Sequence, residues 1–251
     1  MTPVLALFGA TFRSALPLKR TILFSILQLL PAFLFLLASN NRTEEAAFET
    51  LIEVPTGSFF SLILPIVTIV LAASALGAER RDQTLSFIVL RPIRRSVIAG
   101  TKIAATICAA FLLNAVGVAA LVGSYAFRFS ADTEVFVGLM AGAAIAVTAY
   151  VAILIPLGFI TDRAVIIGLA FLLVFENGIA YVLPGLASLS PWRLGATAVG
   201  AIVRQAEPIL REILGSETIT MSVSGSLTTA ATYVLVSATF TALLLKRRDL
   251  A

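Results

Sequence analysis

Glu176 and Asn177, together with Asn114, are the polar side chains best placed to do chemistry in this sequence, because they interrupt long apolar runs. An ionisable group at such a depth is costly to bury unpaired, which makes Glu176 a candidate functional residue. The same position, beside Gly178, also suits a structural hydrogen bond at a helix bend. Asn114 is costly against lipid and should face other helices, as a packing hydrogen bond or as a contact to something passing between them. Nothing completes a catalytic set. The chain has no His and one Cys, Cys108, inside an apolar segment. That removes His-based metal sites, His-dependent triads and any internal disulfide. Gly100-Thr101-Lys102 lacks the upstream glycine of a phosphate-binding loop. No catalytic residue, metal ligand or bound cofactor is therefore expected, and work driven by ATP would need another subunit.

The one long charged interval is 79–102, ERRDQTLSFIVLRPIRRSVIAGTK. Six cations, Arg80, Arg81, Arg91, Arg94, Arg95 and Lys102, stand against Glu79 and Asp82. Such an excess of Lys and Arg marks a cytoplasmic loop. Within it, residues 83–90 contain no helix breaker and carry an apolar stripe at Leu85, Ile88 and Val89. Pro92 ends that run, since proline disfavours helix in the residue before it. The pattern fits a small amphipathic helix offered to a cytoplasmic partner. It also fits a solvated basic loop that only sets topology.

The elements that position these residues are membrane spans. Hydrophobic residues make up 59% of the 251 and charged residues 13%, with a mean hydropathy of +1.01. A soluble domain of this size does not carry so much apolar surface. The length suits about six spans of ~20 residues, expected at 21–38, 58–78, 103–127, 135–160, 164–183 and 227–245. Ahead of the first, Val4, Phe8, Phe12 and Leu16 recur every four residues, as in a helix lying on the inner membrane surface or a lead-in to the span. Residues 39–57, with Glu44, Glu45, Glu49 and Glu53 against Arg42, read as an outer loop. Gly138, Gly142 and Ala146 form a smooth face for close helix approach, within one subunit or between two. Pro156 and Gly158 are expected to loosen the end of that span, and residues 161–163 to make a tight inner turn. Beyond the fifth span, Ser190 before Pro191 reads as a helix cap. A helix to about Gln205, a second over Glu207–Leu214 and an extended piece over 218–224 are expected to follow. Inner segments then hold thirteen Lys or Arg and four acids, and outer segments five and nine. That bias places both termini in the cytoplasm. The net charge of +4 comes from cations clustered beside spans, which points to lipid headgroups and not to nucleic acid.

Glu79, Arg80, Arg81, Thr84 and Leu85, then Leu90, Arg91, Pro92, Arg94 and Arg95, and finally Gly100 and Lys102, follow a recognisable order and spacing. The interval resembles the cytoplasmic loop of ABC-2-type transporter permeases. Asp82 and Ser86 stand where that family more often has a small residue and an acid. The resemblance implies an all-α integral membrane fold of one domain over 1–251. It would have six transmembrane helices, an N-terminal amphipathic surface helix, a short cytoplasmic coupling helix and an outer helical loop between spans five and six. It implies a permease subunit of an ATP-driven exporter in a bacterial inner or cell membrane. The partners would be two ABC ATPase subunits, which would hold ATP and Mg, and a second permease copy or a related permease. Glu79, Arg80, Arg81, Gln83, Thr84, Leu85, Phe87, Ile88, Leu90, Arg91 and Pro92 would couple to the ATPase. Glu176, Asn177 and Asn114 would be candidates for the translocation path. The alternatives are a membrane-embedded enzyme built on Glu176 and Asn177, and a membrane scaffold or immunity protein without transport.

Overall fold

Backbone N–H and C=O groups find no partners in lipid, so long apolar runs satisfy them internally by forming helices. The structure of the chain, a computed structural model, describes residues 3–81, 94–130, 132–180, 184–214 and 222–248. Every element among these residues is helical. In chain order they are α1 (Pro3–Ala15), α2 (Leu18–Gln28), α3 (Leu30–Ala38), α4 (Glu44–Val54), a π-helical stretch (Pro55–Ile63) and α5 (Leu64–Arg81). Next come α6 (Arg95–Ala126), α7 (Thr133–Ile160), α8 (Ala164–Ala170) and a second π-helical stretch (Phe171–Ile179). The chain ends with α9 (Pro184–Ala187), α10 (Pro191–Ile202), a 3-10 turn (Arg204–Ala206), α11 (Glu207–Leu214) and α12 (Val223–Arg248).

Five helical runs are long and apolar enough to cross a membrane: Leu18–Ala38, Glu44–Gly77, Arg95–Ala126, Thr133–Ile160 and Val223–Lys246. The chain is a multi-pass integral membrane protein. A sixth apolar run, Ala164–Ile179, is shorter. Its sixteen residues rise about 24 Å, less than the ~30 Å of a bilayer's hydrocarbon core. The centre of the bundle is α5 with α7, which packs against α5, α6, α10 and α12. At the edges, only 28% of the Leu18–Ala38 window and 17% of the Val223–Lys246 window are buried within the chain. Those two faces are left for lipid or another subunit.

Two expected loops are helix instead. Residues 39–57 read as an acidic outer loop, but α4 starts at Glu44 and runs on through Pro55 into α5. Glu44 and Glu45 occupy its first turn, where carboxylates meet the positive end of the helix dipole. Pro55 has no N–H to give, and the wider π turns absorb it. The hydroxyls of Thr56 and Ser61 bond back to the carbonyls of Ile52 and Gly57, each at 2.7 Å. The cytoplasmic interval also narrows, because α5 continues to Arg81 and α6 already begins at Arg95. Lys102, counted above as a loop cation, is therefore inside α6 and fully buried.

Small residues decide the tightest crossings. A Cβ on Gly195 would sit 2.6 Å from the Gly142 carbonyl oxygen, and one on Gly142 would sit 2.7 Å from that of Gly195. The Gly138–Gly142–Ala146 face is thus filled by α10 of the same chain. At the other end of α7, a Cβ on Gly158 would lie 2.5 Å from the Ala73 carbonyl oxygen. Gly158, expected to loosen the helix, instead lets the α5 backbone touch it, and α7 remains helical past Pro156 to Ile160. The turn at 161–163 is as expected, with Arg163 N–H donating to Thr161 Oγ1 at 3.2 Å.

Candidate functional site

Glu176 lies in the second π-helical stretch and is 1% exposed. Tyr150 Oη donates to its Oε1 at 2.9 Å, and Ser190 Oγ donates to its Oε2. Ser190 also caps α10, accepting from Arg193 N–H at 3.5 Å. The Arg193 guanidinium is within electrostatic reach of the Glu176 carboxylate. It lies 5.3 Å from the Trp192 ring centre and donates to the Leu214 carbonyl at 3.3 Å. A buried carboxylate is tolerable when its oxygens accept hydrogen bonds and a cation is near. Glu176 thus joins the 171–179 stretch, α7 and the start of α10 into one clasp.

The clasp fixes where α10 goes. Tyr150 lies 17 positions after Thr133, about 25 Å along α7 from that end. From there α10 runs beside α7 until Val203 reaches Gly138. Its residues Pro191 to Gly200 are all buried. From α12, Tyr233 Oη donates to the Leu189 carbonyl at 3.0 Å. The expected cap at Ser190 and the expected helix over Glu207–Leu214 are both present. The first helix stops at Ile202 and yields to a 3-10 turn before Gln205. Most of the extended piece expected over 218–224 falls outside the described residues.

Asn177, next in sequence, points elsewhere. It is exposed, and its Nδ2 donates to the Leu172 carbonyl at 3.0 Å, within its own π turn. The two residues therefore do not form one constellation.

Asn114 belongs to a second buried set. It accepts from Gln28 Nε2 at 2.7 Å and donates to Thr68 Oγ1 at 3.3 Å and to the Ala110 carbonyl at 2.8 Å. Gln28, Thr68 and Asn114 have no exposed surface, so the set ties α2, α5 and α6 together. A third tie lies nearer the charged interval. Lys102 Nζ donates to Thr11 Oγ1 at 3.4 Å and to the Ala75 carbonyl at 3.5 Å, joining α1, α5 and α6. Arg20 Nη1 adds a bond to Ser74 Oγ at 3.3 Å.

Of the residues expected to couple to an ATPase, Glu79, Arg80 and Arg81 lie in the last turn of α5. Gln83, Thr84, Leu85, Phe87, Ile88, Leu90, Arg91 and Pro92 lie outside the described residues.

A family model for ABC-2 family transporter proteins matches residues 17–177, which is 161 of the 251 positions. The chain belongs to that family. No curated protein matches it. As an ABC-2 protein it is a membrane subunit of a transporter and not itself an enzyme, and its family associates in general with ABC ATPase subunits. The match runs from the start of α2, across the charged interval, to Asn177. It therefore includes Glu176 but neither Ser190 nor α10. Sequence reasoning found Glu176 and Asn114 because each is polar in an apolar run. The same signal was available for Gln28. Tyr150, Ser190 and Arg193 carried none, since only the fold brings them to Glu176.

Proposed function

We propose that this ABC-2 protein is the membrane-spanning permease of an ATP-driven exporter, moved by a separate pair of ATPase subunits through the interval 79–102. The observation that supports the reading most is a family match whose range, residues 17–177, spans that interval. Two long bundle helices flank it, α5 up to Arg81 and α6 from Arg95. A short amphipathic helix over 83–90, with Glu79, Arg80, Arg81, Arg91 and Pro92 around it, would dock on the ATPase, which would hold ATP and Mg. Motion there would enter the bundle through α5, in backbone contact with α7 at Gly158, and through α6, held by Lys102.

Charge supports six crossings. Arg13, Lys19 and Arg20 near one end and Lys246, Arg247 and Arg248 near the other both belong on the cytoplasmic side. Equal-sided ends need an even number of crossings, so the short run 164–179 completes a sixth together with the residues that follow it. Pro3–Ala15 would lie on the inner membrane surface and the 184–226 region would open outward. The whole chain would act as one permease domain in a bacterial inner or cell membrane. A second permease, identical or related, would complete the path. Of the three path candidates, Asn177 is the exposed one, while Glu176 and Asn114 serve as internal braces.

The test is coupling in a reconstituted complex with the ATPase. Leu85→Asp or Ile88→Asp should leave the permease folded and inserted while lowering transport per ATP hydrolysed at least tenfold. Unchanged coupling in both variants removes the proposed docking helix.

A further inference from the structure

The run that ends in α5 is the most enclosed of the five long ones, yet one line of it stays open. Within 61–77 only Leu62, Ile66, Val70 and Ser74 are not buried. Residues four apart lie on one helix face, so these four form a ridge that rises about 18 Å. That is close to one leaflet's half of a ~30 Å hydrocarbon core. At Ser74 the ridge ends in a cavity of about 220 Å³ between α2, α5 and the turn into α8. Val70, Ser74 and Val165 line this cavity together with Arg20, Thr161 and Asp162.

The cation and the acid in this cavity form no ion pair with each other. Arg20 Nη1 donates to Ser74 Oγ at 3.3 Å, and Ser74 Oγ donates in turn to the Leu71 carbonyl at 2.9 Å. The guanidinium is therefore held at the end of the ridge, half-buried. Among the described residues that is its one hydrogen bond, out of five N–H donors. Lys19 and Arg163, next in sequence to the two charged residues, do not line the cavity. A carboxylate accepts several hydrogen bonds at once, so Asp162 can receive an incoming donor beside any contact it already makes. The volume is below the ~300 Å³ at which small-molecule pockets begin. It suits a headgroup, with the rest of the molecule outside along the apolar ridge.

We propose that this crevice holds one phospholipid whose headgroup carries a protonated amine. Its phosphate lies on Arg20, its ammonium on Asp162, and one tail follows Val70, Ile66 and Leu62. A guanidinium suits phosphate because its planar fork meets two oxygens together. Charge of both signs in one cavity selects among headgroups. A glycerol headgroup brings only negative charge to Asp162, and a trimethylammonium has no N–H to donate to it. An ethanolamine-type headgroup satisfies both residues. A tail leaving bulk lipid for the ridge stays among apolar groups, so the selectivity resides in the headgroup. The site needs the chain to span a membrane, and it does not depend on the chain being a transporter.

The test is native mass spectrometry of the full chain in detergent, titrated with phosphatidylethanolamine, phosphatidylcholine and phosphatidylglycerol that share the same palmitoyl and oleoyl tails. One phosphatidylethanolamine per chain should be retained, about threefold or more tighter than either other lipid, the size of one exposed charge pair. Arg20→Gln should weaken its retention about tenfold, as loss of a hydrogen bond to a charged group does. Asp162→Asn should bring phosphatidylethanolamine down to the level of phosphatidylcholine and leave phosphatidylcholine unchanged. Val70→Phe fills the ridge without touching either charge and should weaken all three lipids alike, which keeps the test open should Arg20→Gln fail to fold. Glycerophosphoethanolamine, the headgroup without tails, should not compete. Equal retention of the three lipids by the parent overturns the proposal, as does an Asp162→Asn chain that keeps the parent's preference. Competition by glycerophosphoethanolamine at the lipid's own concentration would show a site for a soluble phosphate ester, and that overturns it too. If Val70→Phe changes the oligomeric mass and leaves lipid retention alone, a second copy of the chain covers the crevice and the proposal falls.

Discussion

Replacing Glu176 with Leu tests whether the clasp seats α10. Glu176 accepts from Tyr150 and from Ser190 and has Arg193 close by. Hydrogen bonds to a charged partner are worth about 1.5–3 kcal/mol each in soluble proteins. Between membrane helices the mean is about 0.6 and the maximum about 1.7 kcal/mol. Two such bonds therefore give about 1–3 kcal/mol, roughly a 5- to 150-fold change in the balance between seated and unseated states. The chain carries its own probe. Its single tryptophan, Trp192, is two residues past Ser190 and 7% exposed. In Glu176→Leu, thermal unfolding in detergent should begin at a lower temperature, and Trp192 emission should shift to the red before global loss of helix. Glu176→Gln should fall between, because the amide can still accept from one hydroxyl and donate to the other but loses the charge that strengthens both bonds. Ser190→Ala in the Gln background should cost less than Ser190→Ala alone. An unchanged melt and an unchanged emission in Glu176→Leu would refute the clasp.

Packing between the helices is testable in the same chain. Gly195→Leu should prevent accumulation of folded protein, with a cost of about 3 kcal/mol or more, because the added Cβ meets the Gly142 backbone oxygen at 2.6 Å. By contrast Gly123→Ala, where nothing lies within 4 Å, should stabilise α6 by about 0.5–1 kcal/mol; the yield of folded Gly195→Leu in detergent and the chemical denaturation of Gly123→Ala check the pair. Asn114→Leu removes the partner of Gln28 and should lower stability by about 1–2 kcal/mol. Gln28→Leu in the same chain should then cost little more, a non-additivity that a double-mutant cycle reads directly.

Much of the architecture was legible because lipid simplifies the rules. Apolar runs gave helices, and Ser190-Pro191 gave the start of α10. Asn114 was legible as an inward-facing residue because no lipid-facing position tolerates it. The acids of α4 were read as loop because charge marks the side of a membrane but not the secondary structure there. Glu44 and Glu45 favour the helix they begin, as acids in a first turn do. Arg193 gave no sign of its place in the sequence: it is 5% exposed, held by the Leu214 carbonyl and stacked near Trp192. Its burial follows from the Gly142–Gly195 contact, which brings α10 against α7 and which pattern alone does not pair. The Gly138–Gly142 spacing announced a close approach without naming the partner, and the partner is in the same chain. Lys102 is the cation whose sequence neighbours mislead: five arginines nearby suggest a loop, while its neighbours in space are Thr11 and Ala75.

If force reaches this bundle through the interval between α5 and α6, a photo-crosslinking residue at position 88, in membranes that contain the ATPase, should crosslink to the ATPase subunit. That crosslink should strengthen with nucleotide and be lost in Leu85→Asp. A crosslink from position 88 to proteins on the opposite side of the membrane, or none to any nucleotide hydrolase, would rule that route out.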